Sequence, residues 1–135
     1  MATQIFVNLP VKDLNKSVQF FTKLGFTFNA QFTDENATCM IVGENIFVML
    51  VAEKYFKTFI KKEIADSKKT TEVLMGLSAE SKEKVDEIVK NAMASGGSAA
   101  NDVQDLGFMY SHGFQDLDGH IWDIFWMDPS HINQS

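Results

Sequence analysis

The chain repeats one order of elements, and this duplication limits its fold more than any other feature. Ile5-Phe6-Val7-Asn8-Leu9-Pro10-Val11 leads into Lys12-Asp13-Leu14 and an amphipathic run ending at Leu24-Gly25. A Gly-led apolar stretch over 43–50 closes that half. Val73-Leu74-Met75-Gly76-Leu77-Ser78-Ala79 then leads into a charged amphipathic run ending at Ser95-Gly96-Gly97, and a Gly-led apolar stretch over 119–126 closes the second half. Each half orders strand, helix, then strands. Two copies of so small a unit can pair around a shared cleft, and clefts of that kind bind small molecules. A chain of 135 residues can bury one real core but not two independent ones. The expectation is a single domain over 1–135, with module one over about 4–52, a linking helix over about 53–69 and module two over about 70–128.

Composition narrows the partners. Hydrophobic content of 45% with 22% charged residues fits a globular protein. A net charge of -6 repels phosphate backbones, and no Lys/Arg stripe overrides it, so no nucleic-acid partner is expected. The apolar runs are shorter than the roughly 20 residues of a membrane helix, and Met1-Ala2-Thr3-Gln4 opens no secretory signal. The single cysteine, Cys39, rules out an internal disulfide and suits a reducing cytoplasm. It sits in the apolar run Thr38-Cys39-Met40-Ile41-Val42 and reads as a small buried hydrophobe, not a nucleophile.

Local signals fill in the outline. After a strand over 5–11, Asp13 can cap a helix by accepting its first free N–H groups. Leu14, Val18, Phe21 and Leu24 follow on one helical face, and Gly25 supplies a left-handed stop. Residues 26–32 predict a strand, Asp34-Glu35-Asn36 a turn, and 38–42 with 46–51 a hairpin across Gly43-Glu44-Asn45. Tyr55, Phe56, Phe59, Ile60 and Ile64 recur at helical spacing, which predicts the linking helix, its apolar face joining the core. In the second half a strand over 72–78 precedes a helix over about 81–94 with Val85, Ile88, Val89 and Ala92 inward. Residues 98–106 predict a short strand or loop, and 108–115 with 120–127 a hairpin around Asp116-Leu117-Asp118-Gly119. His131 falls in an exposed tail.

Asn8-Leu9-Pro10-Val11-Lys12-Asp13-Leu14 with Ser17, Phe20-Phe21 and Leu24-Gly25-Phe26 resembles the opening of the vicinal oxygen chelate superfamily. That group includes glyoxalase I, fosfomycin and bleomycin resistance proteins, and extradiol dioxygenases. Asp116-Leu117-Asp118-Gly119-His120-Ile121-Trp122-Asp123 resembles its final hairpin. Within the group, the chain is similar to the small bacterial lactoylglutathione lyase-like proteins. The resemblance implies an α+β fold: paired βαβββ modules forming a half-open, eight-stranded barrel-like sheet with ligand or metal in its cavity. In metal-using members, one inward His, Glu or Gln from each of four strands holds a divalent cation that polarises substrate oxygens. The resemblance also implies a homodimer, because relatives cover exposed sheet edges that way.

Carried over residue by residue, the four ligand positions offer little to a cation. The first-strand position holds Phe6 and its repeat partner Leu74. The position four after Gly119 holds Asp123; its repeat partner four after Gly43 holds Phe47, with Met49 the inward candidate if the register slips. Phenyl and isobutyl groups have no lone pair, leaving one carboxylate where three or four ligands are needed. No cofactor is therefore expected, and a divalent metal only through a non-standard site. His120 and Asp123, three apart on a strand, would point to opposite faces, and His112 reads as a surface or hydrogen-bonded residue.

Two functions follow from this reading. In one, a cavity lined by Phe6, Phe47, Met49, Leu74, Tyr110 and Phe125, with Asp123 as polar anchor, binds a small, partly apolar molecule without chemistry. An acid between Ile121 and Phe125 would be desolvated and its pKa raised, or else tied to backbone amides or a lysine. In the other, the chain is a lyase or isomerase of the lactoylglutathione lyase type acting on a small carbonyl or thiol conjugate. Asp123 would then be the catalytic base or one ligand of an unusual metal site.

Overall fold

The computed structural model describes residues 3–132. Its chain divides between Asp66 and Ser67 into two compact units, and each has the mixed α+β order that the duplication predicts.

In the first unit, strand β1 (Ile5–Val11) is followed by helix α1 (Leu14–Lys23) and strands β2 (Thr27–Asn29), β3 (Ala37–Gly43) and β4 (Ile46–Ala52). The sheet runs β1-β4-β3-β2, with β1 parallel to β4 and the other pairs antiparallel. Asp13 does cap α1: its carboxylate accepts the Lys16 N–H at 3.1 Å. Gly25 ends the helix with φ of 102°. Leu9, Val11, Met40, Val48 and Leu50 are buried with Phe20, Phe21 and Leu24 of the helical segment. Each fully buried phenylalanine is worth roughly 2–3 kcal/mol of transfer free energy. Cys39 is fully buried, as its apolar setting implied.

Two expectations about this unit need correction. The strand expected over 26–32 stops at Asn29, because the Asn29 side chain accepts the Gln31 N–H at 2.9 Å and opens a 3₁₀ turn, Ala30–Phe32. Such a side-chain bond diverts the backbone from the ladder. The long linking helix is also absent. A short helix α2 (Glu53–Phe56) passes into a 3₁₀ turn, Lys57–Phe59, and regular structure ends there. Tyr55 and Phe59 remain 38% and 58% exposed and Phe56, Ile60 and Ile64 are only half-buried, so the apolar face packs too little to hold a longer helix together.

The second unit comprises β5 (Leu74–Ser78), α3 (Lys82–Ala94), β6 (Ser98–Ala99), β7 (Gln104–Asp105), β8 (Met109–Gln115), β9 (Ile121–Met127) and a terminal turn of helix, α4 (Pro129–Ile132). Strand β5 is parallel to β9, β9 antiparallel to β8, and β6 and β7 both pair with β8. The fourth lane is thus split. Across the gap, the Asn101 side-chain oxygen accepts the Gly113 N–H at 2.9 Å, so β8 keeps a partner there. Trp122, Ile124 and Phe114 form the core with Val85, Val89 and Ala92 of α3, whose N-cap is Ser81.

Candidate functional site

Alternation along β1 puts Phe6, Asn8 and Pro10 on one face and Val7, Leu9 and Val11 on the other. The parallel register sets Phe6 beside Phe47, Asn8 beside Met49 and Pro10 beside Val51. On the far side of β4, Cys39 lies beside Met49 and Ala37 beside Val51. A cleft of about 420 Å³ opens over this face of the sheet, with Asn8, Ala37, Met49 and Val51 as its floor.

The segment after β2 makes one wall, through Gln31, Phe32, Thr33 and Asp34. Local bonds fix that wall. The Thr33 hydroxyl donates to the Asn29 carbonyl at 2.8 Å and lies 2.8 Å from the Thr38 hydroxyl. One Asp34 oxygen, Oδ1, accepts the N–H groups of Asn36 at 2.7 Å and Ala37 at 3.0 Å. Tyr55 and Phe59 also line it, their rings edge to face with centroids 5.0 Å apart. The Thr58 hydroxyl donates to the Tyr55 carbonyl at 2.6 Å and steadies that turn. Phe32 stands 57% exposed in the same lining. The arrangement is a mostly apolar floor with three aromatic residues in the lining; its polar residues are Asn8, Gln31, Thr33, Asp34 and Tyr55.

Of the residues singled out from sequence, only Met49 lines this cleft. Phe6 and Phe47 belong to the same sheet face and stack with centroids 4.8 Å apart and rings 16° from parallel, beyond its lining. In the second unit Leu74, Asp123 and Phe125 share a face, through the pairs Leu74 with Ile121, Gly76 with Asp123 and Ser78 with Phe125. Tyr110 must be corrected. It pairs with Trp126 on the α3 side of the sheet, and its hydroxyl donates to Asp86 at 2.7 Å. That bond and burial push its phenol pKa up. His112 pairs with Ile124 on the same side, away from Asp123. His120 precedes β9 and belongs to the turn; the side chain of His131 lies outside the described residues.

Asp123 occupies a different setting from the apolar slot expected. Its neighbours across the ladder are Gly76 and Gly113, which have no side chains, and it is half-exposed. The repeat register also shifts. Leu9 pairs with Leu50 and Leu77 with Ile124, so the counterpart of Asp123 in the first unit is Met49, not Phe47. Ile41 pairs with Phe47 as Gln115 pairs with Ile121, but Gly43 stands two residues after its paired residue and Gly119 four, so the count from the glycine fails. The four positions thus hold Phe6, Met49, Leu74 and Asp123: two hydrocarbons, a weak thioether donor and one carboxylate. That set does not fit a hard divalent cation. Among the described residues no three His, Cys, Asp or Glu side chains converge.

Sequence reasoning missed most of the cleft: Asn8, Gln31, Phe32, Thr33, Asp34, Tyr55 and Phe59. Period-two alternation from Phe6 would have placed Asn8 beside it on the same face. The i, i+4 spacing of Tyr55 and Phe59 was visible too, but was assigned to the core.

Residues 3–43 match the family model for bleomycin resistance protein-like N-terminal domains. No curated protein matches the chain significantly. Among solved structures, a hypothetical protein from S. aureus is 28% identical, with a TM-score of 0.80 over 93% of this chain and 94% of that one. A glyoxalase/bleomycin resistance protein/dioxygenase family enzyme from Burkholderia phytofirmans PsJN is 16% identical, with a TM-score of 0.77 over 93% of this chain and 99% of that one. A glyoxalase-related enzyme from Fulvimarina pelagi is 15% identical, with a TM-score of 0.78 over 93% and 88% of the two chains. The fold is therefore that of the glyoxalase/bleomycin resistance/dioxygenase group, and the N-terminal match agrees with it. The residues that match the bleomycin resistance protein-like model all fall within the first unit.

Proposed function

We propose that this glyoxalase/bleomycin-resistance-like protein binds a small, partly apolar molecule in the cleft of its first unit, without the metal centre of the superfamily's enzymes. One observation carries the reading: Phe32, Tyr55 and Phe59 stand exposed in the lining of a concave opening whose floor includes Met49, Val51 and Ala37. Large apolar side chains lining a cleft leave surface that a ligand can cover. A volume of about 420 Å³ suits a molecule of one or two rings. The donor set where the resemblance marks ligand positions supports binding without a cation.

Thermal-shift screening of small aromatic and heteroaromatic compounds tests this, run in parallel on Phe59→Ser. Phe59 is mostly exposed, so the variant should fold with stability within about 0.5 kcal/mol of the parent. Compounds that raise the parent's Tm and lose that effect in the variant support the proposal. Compounds that act equally on both place binding elsewhere and sink it.

A further inference from the structure

Resting on that reading, we infer that the ligand of the first-unit cleft is a cation: an apolar, ring-sized body bearing an ammonium or similar positively charged group. Among the described residues lining the cleft, Asp34 is the one charged side chain, and none is basic. Lys54 and Lys57 belong to the same segment as Tyr55 but do not line the opening. A ligand that closes over a carboxylate must compensate its lost hydration, and an opposite charge does so most fully. An anionic ligand would meet that carboxylate with no cation to balance it.

The aromatic rings of the lining point the same way. The faces of Phe and Tyr rings carry negative potential and attract cations, more strongly once water is excluded. Asp34 is held ready for this role: its Oδ1 is committed to the Asn36 and Ala37 N–H groups, which fixes the carboxylate in place and leaves Oδ2 outside those bonds. The net charge of -6 adds a long-range attraction for cations.

The test titrates the full chain with three benzyl probes: benzyltrimethylammonium, its uncharged isostere neopentylbenzene, and the smaller anion phenylacetate. Backbone and methyl chemical shifts report where each binds. Asp34→Asn is the matched variant, because an amide oxygen can accept the same two backbone N–H groups and keep the turn. The expected result is roughly tenfold tighter binding of the cation than of the isostere, no saturable shift from the anion, and roughly tenfold weaker cation binding in Asp34→Asn with the isostere unaffected. Equal binding of cation and isostere, or a cation affinity unchanged in Asp34→Asn, overturns the inference and leaves the cleft standing as an apolar site. If none of the three shifts Asn8, Met49 or Tyr55, both the inference and the binding reading fall.

Discussion

The indole N–H of Trp122 donates to Oδ2 of Asp116 across 3.0 Å, inside the turn that joins β8 to β9. The other carboxylate oxygen accepts the N–H groups of Asp118 at 2.9 Å and His120 at 3.1 Å. Burial pushes the Asp116 pKa up, against the opposing pull of His120, the indole and the Asp118 amide. A raised folded-state pKa means the folded protein holds the proton more tightly than the unfolded chain. The stability this group contributes is then fully present below the unfolded value near 3.8 and is lost as pH rises through the folded one.

Asp116→Asn removes that titration. It keeps an oxygen for the two backbone donors but turns an NH₂ group toward the indole N–H, at a cost of about 1–3 kcal/mol. Urea unfolding of both proteins as a function of pH should show the gap between them narrowing as pH rises above about 3.8. A gap that widens with pH would show that the carboxylate is stabilised in its charged form.

Gly119 in the same turn has φ of 88°, and a Cβ there would lie 2.8 Å from the Ser67 carbonyl oxygen and 3.0 Å from the Lys68 Cα. Gly25 has φ of 102° with nothing within 4 Å of the same added atom. Alanine at position 25 should therefore cost about 1–2 kcal/mol from backbone strain alone, and alanine at 119 should cost clearly more because backbone must also move. Equilibrium unfolding of Gly25→Ala and Gly119→Ala measures the difference; equal losses would mean that Ser67-Lys68 does not pack against the turn.

The duplicated order, the α1 cap, the Gly25 stop and both closing hairpins were legible because each rests on bonds between residues close in sequence. Cys39 was legible for a related reason, lying in an uninterrupted apolar strand. What failed depended on distant partners. The aromatic periodicity of 55–64 looked helical, yet Tyr55 and Phe59 stay exposed and line a cleft. Asp123 was placed among apolar neighbours because Ile121 and Phe125 flank it in sequence, whereas Gly76 and Gly113 flank it across the sheet. Gly43 and Gly119 stand two residues apart in equivalent turns, so counting from them pointed to Phe47 and left Met49 as the alternative.

Cys39 is fully buried, and burial raises its thiol pKa, so little thiolate is present or accessible near neutral pH. A disulfide reagent such as dithionitrobenzoate should react slowly with the native protein and stoichiometrically in urea. Fast native labelling would show that β3 opens readily.

Phe6, Met49, Leu74 and Asp123, which stand where the resemblance to metal-using glyoxalase-fold proteins marks ligand positions, should leave divalent cations without a site. Protein purified without chelators is expected to contain far less than one equivalent of zinc, nickel, manganese or iron by elemental analysis, with Tm unchanged by EDTA. One tightly held equivalent, with a Tm that falls on chelation, would demonstrate a non-standard centre.

Methyl and amide NMR of the full chain, titrated with a small aromatic compound that raises its Tm, tests the central claim most directly. Saturable shifts are expected at the Met49 methyl, the Asn8 side-chain amide and the Tyr55 and Phe59 rings, with Gly76, Gly113 and Asp123 unmoved. Saturable shifts confined to those second-unit residues would contradict it.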